Sequence, residues 1–164
     1  MKFSPHTVRT TLATPLGPMT LAATDTALVG AWFDGQQHQP SFDAWPVQAQ
    51  HPLLHAAGQQ LQEYFAGQRQ HFDLPLDLSG GTAFQQAVWA RLQTIASGGT
   101  VSYGHISQQI HNPAAVRAVG AAVGRNPISI IVPCHRVLGA HGALTGYAGG
   151  LERKIALLKL ESPV

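Results

Sequence analysis

The chain has 164 residues, of which 45% are hydrophobic, 11% charged and one is cysteine, with a formal net charge of +2. This composition suits a packed globule of one domain or two small ones, and excludes a disulfide-stapled scaffold or a disordered polyelectrolyte. No secretory leader is recognisable at Met1 and no apolar run approaches bilayer length, so a cytoplasmic protein with no membrane partner is expected. The charge is unevenly spread: Met1–Ser79 holds three basic against six acidic residues, and Gly80–Val164 seven against two. Only the second half would attract a polyanion.

In chain order, strand-like residues occupy 8–13 and 19–23 around the turn Pro15-Leu16-Gly17-Pro18, and 27–33 follows as a hairpin partner. After a polar loop, Leu53, Leu54, Ala57, Leu61, Tyr64 and Phe65 recur at helical spacing up to Gly67, a C-terminal cap. Residues 73–79 read as extended and irregular, and Ser79-Gly80-Gly81 as a boundary. His51 and His55 are spaced for one helix face, but two ligands do not make a metal site and Pro52 puts His51 at the helix start. No metal and no cofactor are expected, and the first half offers no catalytic constellation.

The second half opens with a helix capped by Thr82 that runs through Phe84, Val88, Trp89, Leu92 and Ile95 to Ser97-Gly98-Gly99. A short helix over 103–110, a turn at His111-Asn112-Pro113 and a helix over 114–123 then make a helix–turn–helix. The latter helix is built from small residues, Ala114, Ala115, Ala118, Gly120, Ala121 and Ala122, around Arg117. Such a helix either packs closely on a neighbour or brings its backbone close to a nucleic-acid groove. A last helix spans 150–160.

Between these helices the β-branched run Ile128–Val132 reads as a short buried strand, and Pro133 ends its ladder where Cys134 sits. A lone cysteine is commonly an inert small hydrophobe. Here His135 and Arg136 follow at once, two cations able to favour a thiolate, and Asn126 stands at the other end as a hydrogen-bonding hinge.

Pro133-Cys134-His135-Arg136-Val137, preceded by Asn126-Pro127, resembles the active-site signature of the O6-alkylguanine-DNA alkyltransferases. Phe84–Trp89, Ser102-Tyr103-Gly104, Arg117–Gly120, Gly146–Leu151 and Leu157-Leu158 fall in that family's order and spacing. The resemblance implies a ribonuclease-H-like α/β domain over 1–79, a small sheet plus helix, and a mostly α winged helix–turn–helix domain over 80–164. It implies a monomer that binds double-stranded alkylated DNA from the minor groove and flips the damaged base into a pocket. The alkyl group of O6-alkylguanine, and of O4-alkylthymine, would pass irreversibly to the protein's own cysteine.

By the same resemblance Cys134 is the nucleophile and alkyl acceptor, His135 a water-mediated base, Glu161 the carboxylate that orients it, Tyr103 the proton donor to guanine and Asn126 the hinge. Arg117 matches an intercalating finger, with Ala115, Ala118, Gly120 and Ala121 along the DNA-binding helix. Val132, Tyr147, Ala148 and Gly149 match the pocket walls. Ala96, Gly99, His105 and Ser107 depart from the family's more usual Pro, Glu, Glu and Ala, and Ala148 stands where some relatives have Ser. Two rival readings are a lesion-binding winged-helix module without transfer, whose known examples lack the cysteine, and a thiol hydrolase, which has no use for the Arg117 helix.

Overall fold

The structure, a computed structural model, describes residues 1–162. Strands β1 (Val8–Leu12), β2 (Met19–Ala23) and β3 (Leu28–Phe33) form an antiparallel sheet in the order β1-β2-β3. The β1–β2 turn is closed by Thr14 Oγ1 donating to the Gly17 carbonyl at 2.6 Å, and Gly17 adopts φ of 108°, a value that favours glycine. Helix α1 (Pro52–Phe65) covers one face of the sheet with Leu54, Ala57, Leu61 and Tyr64. His51 caps it, its Nδ1 accepting from the Leu53 amide at 3.2 Å, and Gly67 leaves the helix with φ of 75°. The opposite face holds a small cluster of Ala22, Val29, Trp32 and Trp45.

The free edge of β3 organises the rest. Residues 75–77 pair with it first, through Leu28 N–H to the Pro75 carbonyl and Asp77 N–H to the Leu28 carbonyl. Further along, the Ala31 amide donates to the Pro127 carbonyl at 2.8 Å and the Ser129 amide to the Ala31 carbonyl at 2.9 Å. The cysteine-bearing segment is therefore docked on the N-terminal sheet.

The expected strand over 128–132 is not present. Ile128 alone makes a bridge to Ala31, after which the chain turns: the Val132 amide bonds back to the Ile128 carbonyl, and Ile130 takes φ of 73°. A β-branched residue in the left-handed region stores about 1–3 kcal/mol, held here by burial and by Asn126.

Helix α2 (Ala83–Leu92) starts with a full capping box between Thr82 and Gln85. It ends before Ile95, because Thr94 Oγ1 takes the Arg91 carbonyl at 2.7 Å and the chain leaves in tight turns. Strand β4 (Val101–Ser102) pairs in parallel with β5 (Val137–Leu138). Helix α3 (Tyr103–Gln109) is capped by Ser102, and α4 (Val116–Gly124) follows the turn. The α4 helix starts two residues later than expected: Ala114 and Ala115 belong to the turn, where the Ala115 amide bonds to the Asn112 carbonyl. Helix α5 (Leu151–Glu161) begins after Gly150, at φ of 96°. One apolar core runs through both halves, joining Leu21, Leu28, Phe33 and Leu54 to Val88, Trp89, Val132 and Leu157.

Candidate active site

Asn126 clasps the cysteine-bearing segment. Its Oδ1 accepts from the Ile128 amide at 3.0 Å, and its Nδ2 donates to the Ile128 and Val132 carbonyls at 3.3 and 2.8 Å. All three bonds are buried, so an apolar side chain at 126 would leave backbone groups unpaired. Pro133 then forms a tight turn in which the Cys134 amide bonds to the Val132 carbonyl at 2.8 Å, and Cys134–Arg136 makes a single 3-10 turn. The thiol, 4% exposed, is thus fixed by backbone on both sides.

Behind the thiol lies a buried ionic network. His135 Nε2 is 2.7 Å from Glu161 Oε2. Arg136 donates through Nε to Oε1 at 2.8 Å and through Nη2 to Oε2 at 2.9 Å, and its Nη1 donates to the Ile95 carbonyl at 2.6 Å. Tyr64, on α1, donates its hydroxyl to Oε2 at 2.6 Å. A carboxylate at the C-terminal end of α5 opposes the helix dipole, and these donors offset that cost. Burial pushes the Glu161 carboxyl up, but the bonds from His135, Arg136 and Tyr64 hold it well below the usual carboxylate range. Burial pushes His135 down against the pull of Glu161, which favours the neutral ring. With a carboxylate at Nε2, the proton belongs there, and Nδ1, buried with no hydrogen-bond partner among the described residues, is left as an acceptor.

The expectation that His135 and Arg136 favour a thiolate as cations is corrected: burial favours the neutral imidazole, and the guanidinium is committed to Glu161 and Ile95. Burial pushes the Cys134 thiol up, and the nearby Asn126 amide and Tyr147 hydroxyl, with the charge of Lys154, lower it only in part. Lys154, fully buried on α5, is the lysine whose charge bears on the sulfur; burial pushes its own pKa down and the Cys134 charge pulls it back up. Its Nζ donates to the Thr145 carbonyl at 3.1 Å and lies 6.0 Å from the centre of the Tyr103 ring. The Tyr147 hydroxyl is buried against Cys134 and Ser129, without a partner in full hydrogen-bonding geometry among the described residues.

Cys134 opens onto a cavity of about 320 Å³ lined also by Tyr103, Gly120, Tyr147 and Ala148, a volume within the range of small-ligand sites. Thr145 Oγ1 donates to the Tyr103 hydroxyl at 3.4 Å at its rim. Val132 and Gly149 stand behind this lining: the Val132 carbonyl is taken by Asn126 and Cys134, and Gly149 is hemmed in by the Tyr147 and Phe33 rings. Gln37 and His38 of the first half also line the cavity, tied to its wall by the Gln37 amide donating to the Ala148 carbonyl at 2.9 Å.

The first half therefore supplies side chains that sequence reasoning missed: Tyr64 to the network, Gln37 and His38 to the rim. Lys154 was missed too, although Lys154, Leu157 and Glu161 share one helix face and a lysine on that face is a readable signal.

Helix α4 buries Val119, Ala122 and Val123 against its neighbours, and Trp89 Nε1 donates to the Ala122 carbonyl at 2.8 Å. Arg117, Ala118 and Ala121 face outward, with Arg125 exposed just past the helix end; Ala115 is the N-terminal cap, partly exposed, and Gly120 turns toward Tyr103. Arg117 sits in the first turn of α4 rather than in its middle.

Residues 83–163 match the family model of the 6-O-methylguanine DNA methyltransferase DNA-binding domain, and residues 7–78 that of its ribonuclease-like domain. A methylated-DNA–protein-cysteine methyltransferase from Mycolicibacterium paratuberculosis is 51% identical over 152 residues, 92% of this chain and 90% of that protein. One from Methanosarcina acetivorans is 47% identical over 148 residues, 90% and 93% of the two chains. The crystal structure of Mycobacterium tuberculosis O6-methylguanine methyltransferase superposes with a TM-score of 0.86 at 50% identity, covering 94% of this chain and 92% of that one. A Mycobacterium tuberculosis OGT structure in complex with DNA gives 0.85 at 49% identity, covering 94% of each chain. With a ribonuclease-like sheet and helix leading into a helical DNA-binding unit, the chain belongs to the 6-O-methylguanine DNA methyltransferase family.

Proposed function

We propose that this protein repairs DNA by taking the alkyl group of O6-alkylguanine, and of O4-alkylthymine, onto Cys134 in one irreversible transfer. The observation that carries the reading is the setting of the chain's single thiol, at a cavity of about 320 Å³ beside a buried lysine and a histidine–glutamate couple. Relatives at about half identity carry the name methylated-DNA–protein-cysteine methyltransferase, and one structural neighbour is a complex with DNA.

The thiol proton passes through a bridging water to His135 Nδ1, while Glu161 holds the other ring nitrogen. Sγ attacks the alkyl carbon, the carbon–sulfur bond forms, the carbon–O6 bond breaks, and its electron pair returns to the purine. Tyr103 donates the proton that lets guanine leave as a neutral base. The Lys154 charge bears on the developing thiolate and lowers its cost. Asn126 keeps the segment in register, and Val132, Tyr147, Ala148 and Gly149 shape the pocket wall. The Cys134 thiolate is a poor leaving group from the thioether at neutral pH, and the chain holds no second thiol to take the alkyl group on, so each protein acts once.

Attack at an exocyclic oxygen requires the base to leave the stack, at a cost of a few kcal/mol. Arg117 fills the gap from the minor groove, while Ala115, Ala118 and Ala121 let the helix backbone approach and Gly120 stands between groove and pocket. The supporting unit is taken as 1–79 and the DNA-binding and reactive unit as 80–164, a division supported by the two family-model matches. The reading also takes the protein as a cytoplasmic monomer; a single buried free cysteine supports a reducing compartment. Among the described residues no helix is long and apolar enough to cross a membrane.

Intact mass and peptide mapping after mixing with a duplex containing one O6-methylguanine test the reading. One methyl group on the Cys134 peptide, saturating at one per chain, is expected. An unmodified protein that still binds the lesion would overturn transfer in favour of recognition alone.

A further inference from the structure

Tyr64 belongs to the N-terminal unit and is separated by 97 positions from the residue its hydroxyl meets. Its ring has an ordinary packing role, edge-on to Phe65 at 5.4 Å and tilted against Phe72 at 5.6 Å. The hydroxyl has a different one. At 2.6 Å it makes a charge-assisted bond to Glu161 Oε2, the same oxygen that receives His135 Nε2 at 2.7 Å and Arg136 Nη2 at 2.9 Å. Among the described residues Oε1 receives only Arg136 Nε. Three donors on one oxygen compete for its electron density, so the pull of Glu161 on His135 depends on what Tyr64 withdraws. Burial and the Glu161 charge push the Tyr64 phenol far above its usual range, so it keeps its proton and remains a donor.

We infer that Tyr64 is a positioning residue for alkyl transfer: its hydroxyl fixes Glu161 Oε2 and tempers the carboxylate's hold on His135, setting how readily the imidazole binds a proton. The inference rests on His135 being the base in the proposed transfer. It gives the N-terminal unit a part in the chemistry, since α1 delivers a buried group that does not line the cavity at Cys134. The other titratable groups around the couple are Arg136 and Cys134 on the reactive segment, Lys154 on α5 and Tyr147 at the pocket wall. None of them is substituted in the test below.

The test is the single-turnover rate of alkylation against pH, with the Cys134 peptide checked by mass in every variant. In Tyr64→Phe, Glu161 loses a donor, becomes the stronger acceptor and raises the proton affinity of His135. The acid limb of the profile should then shift to higher pH by about half a unit. Replacing Tyr64 alone by 3-fluorotyrosine, a stronger acid and better donor, should shift the limb to lower pH, and it carries the test should Tyr64→Phe not fold. Opposite shifts support the inference. A limb that stays in place, whether or not the whole curve is scaled down, overturns it. Absence of alkylation in the unaltered protein would instead refute the transfer reading itself.

Discussion

Glu161→Gln isolates the charge at the centre of the network while keeping its shape. The carboxylate is met by Tyr64, His135 and Arg136 at 2.6 to 2.9 Å, and its side chain is 2% exposed against 7% for Arg136. An amide cannot satisfy this set. With its oxygen at the Oε2 position, its NH2 group confronts Arg136 Nε–H; reversed, it confronts three donors. Arg136 is left as a buried cation without a counter-charge, a loss of about 3–5 kcal/mol. At roughly 2–4 °C per kcal/mol for a chain of this size, the melting temperature should fall by about 6 °C or more.

Glu161 also links stability to pH. Its folded carboxyl is held below the unfolded value, so its contribution is complete above the unfolded pKa of about 4.3 and fades as pH falls through the lower folded value. Glu161→Gln should therefore flatten the acid side of the stability curve. Urea melts over a pH series, with alkylation rates in parallel, read both effects. The rate should drop by about 100-fold or more, because His135 loses the partner that keeps its proton on Nε2 and Nδ1 free. A melting temperature within about 2 °C of the unaltered protein, with an unchanged acid slope, would refute the view of a charge-dependent network.

Arg117→Ala should weaken repair of duplex DNA far more than attack on free alkylated guanine, measured as paired alkylation rates; equal losses would remove the base-flipping role. Lys154→Met should slow alkylation at neutral pH by about tenfold and move the thiol titration upward, read by iodoacetamide reactivity against pH, since it removes the lysine whose charge bears on the sulfur. Gly149→Ala would place a Cβ 2.7 Å from the Tyr147 ring and 3.2 Å from Phe33, an overpacking loss of about 1–3 kcal/mol visible in thermal melts.

Much of the scaffold was legible because its signals are local. The Pro15–Pro18 turn fixed the first hairpin, Thr82 announced α2, and Gly67 ended α1. The run Ile128–Val132 misled for a physical reason: β-branched residues favour strands, but here a side chain, Asn126, intercepts the carbonyls that a neighbouring strand would use. Cys134, His135 and Glu161 could be picked out from the motif. The roles of Arg136 and Lys154 could not, since which charge bears on the thiol depends on how α5 packs under the reactive turn. Tyr64 and His38 lie far from the motif in sequence, and nothing around either residue signals a distant partner.

The core shared by both halves has a consequence for how the protein forms. Ala31 must find Ile128, and Tyr64 must find Glu161, so the reactive site closes only after loops of about a hundred residues have been drawn together. During synthesis the β3 edge emerges long before residues 127–129 exist to cover it, a period when an unpaired strand is open to wrong partners. The chain should therefore melt as a single cooperative unit, and a nick near residue 80 should leave two fragments that hold together and lose their thermal stability together.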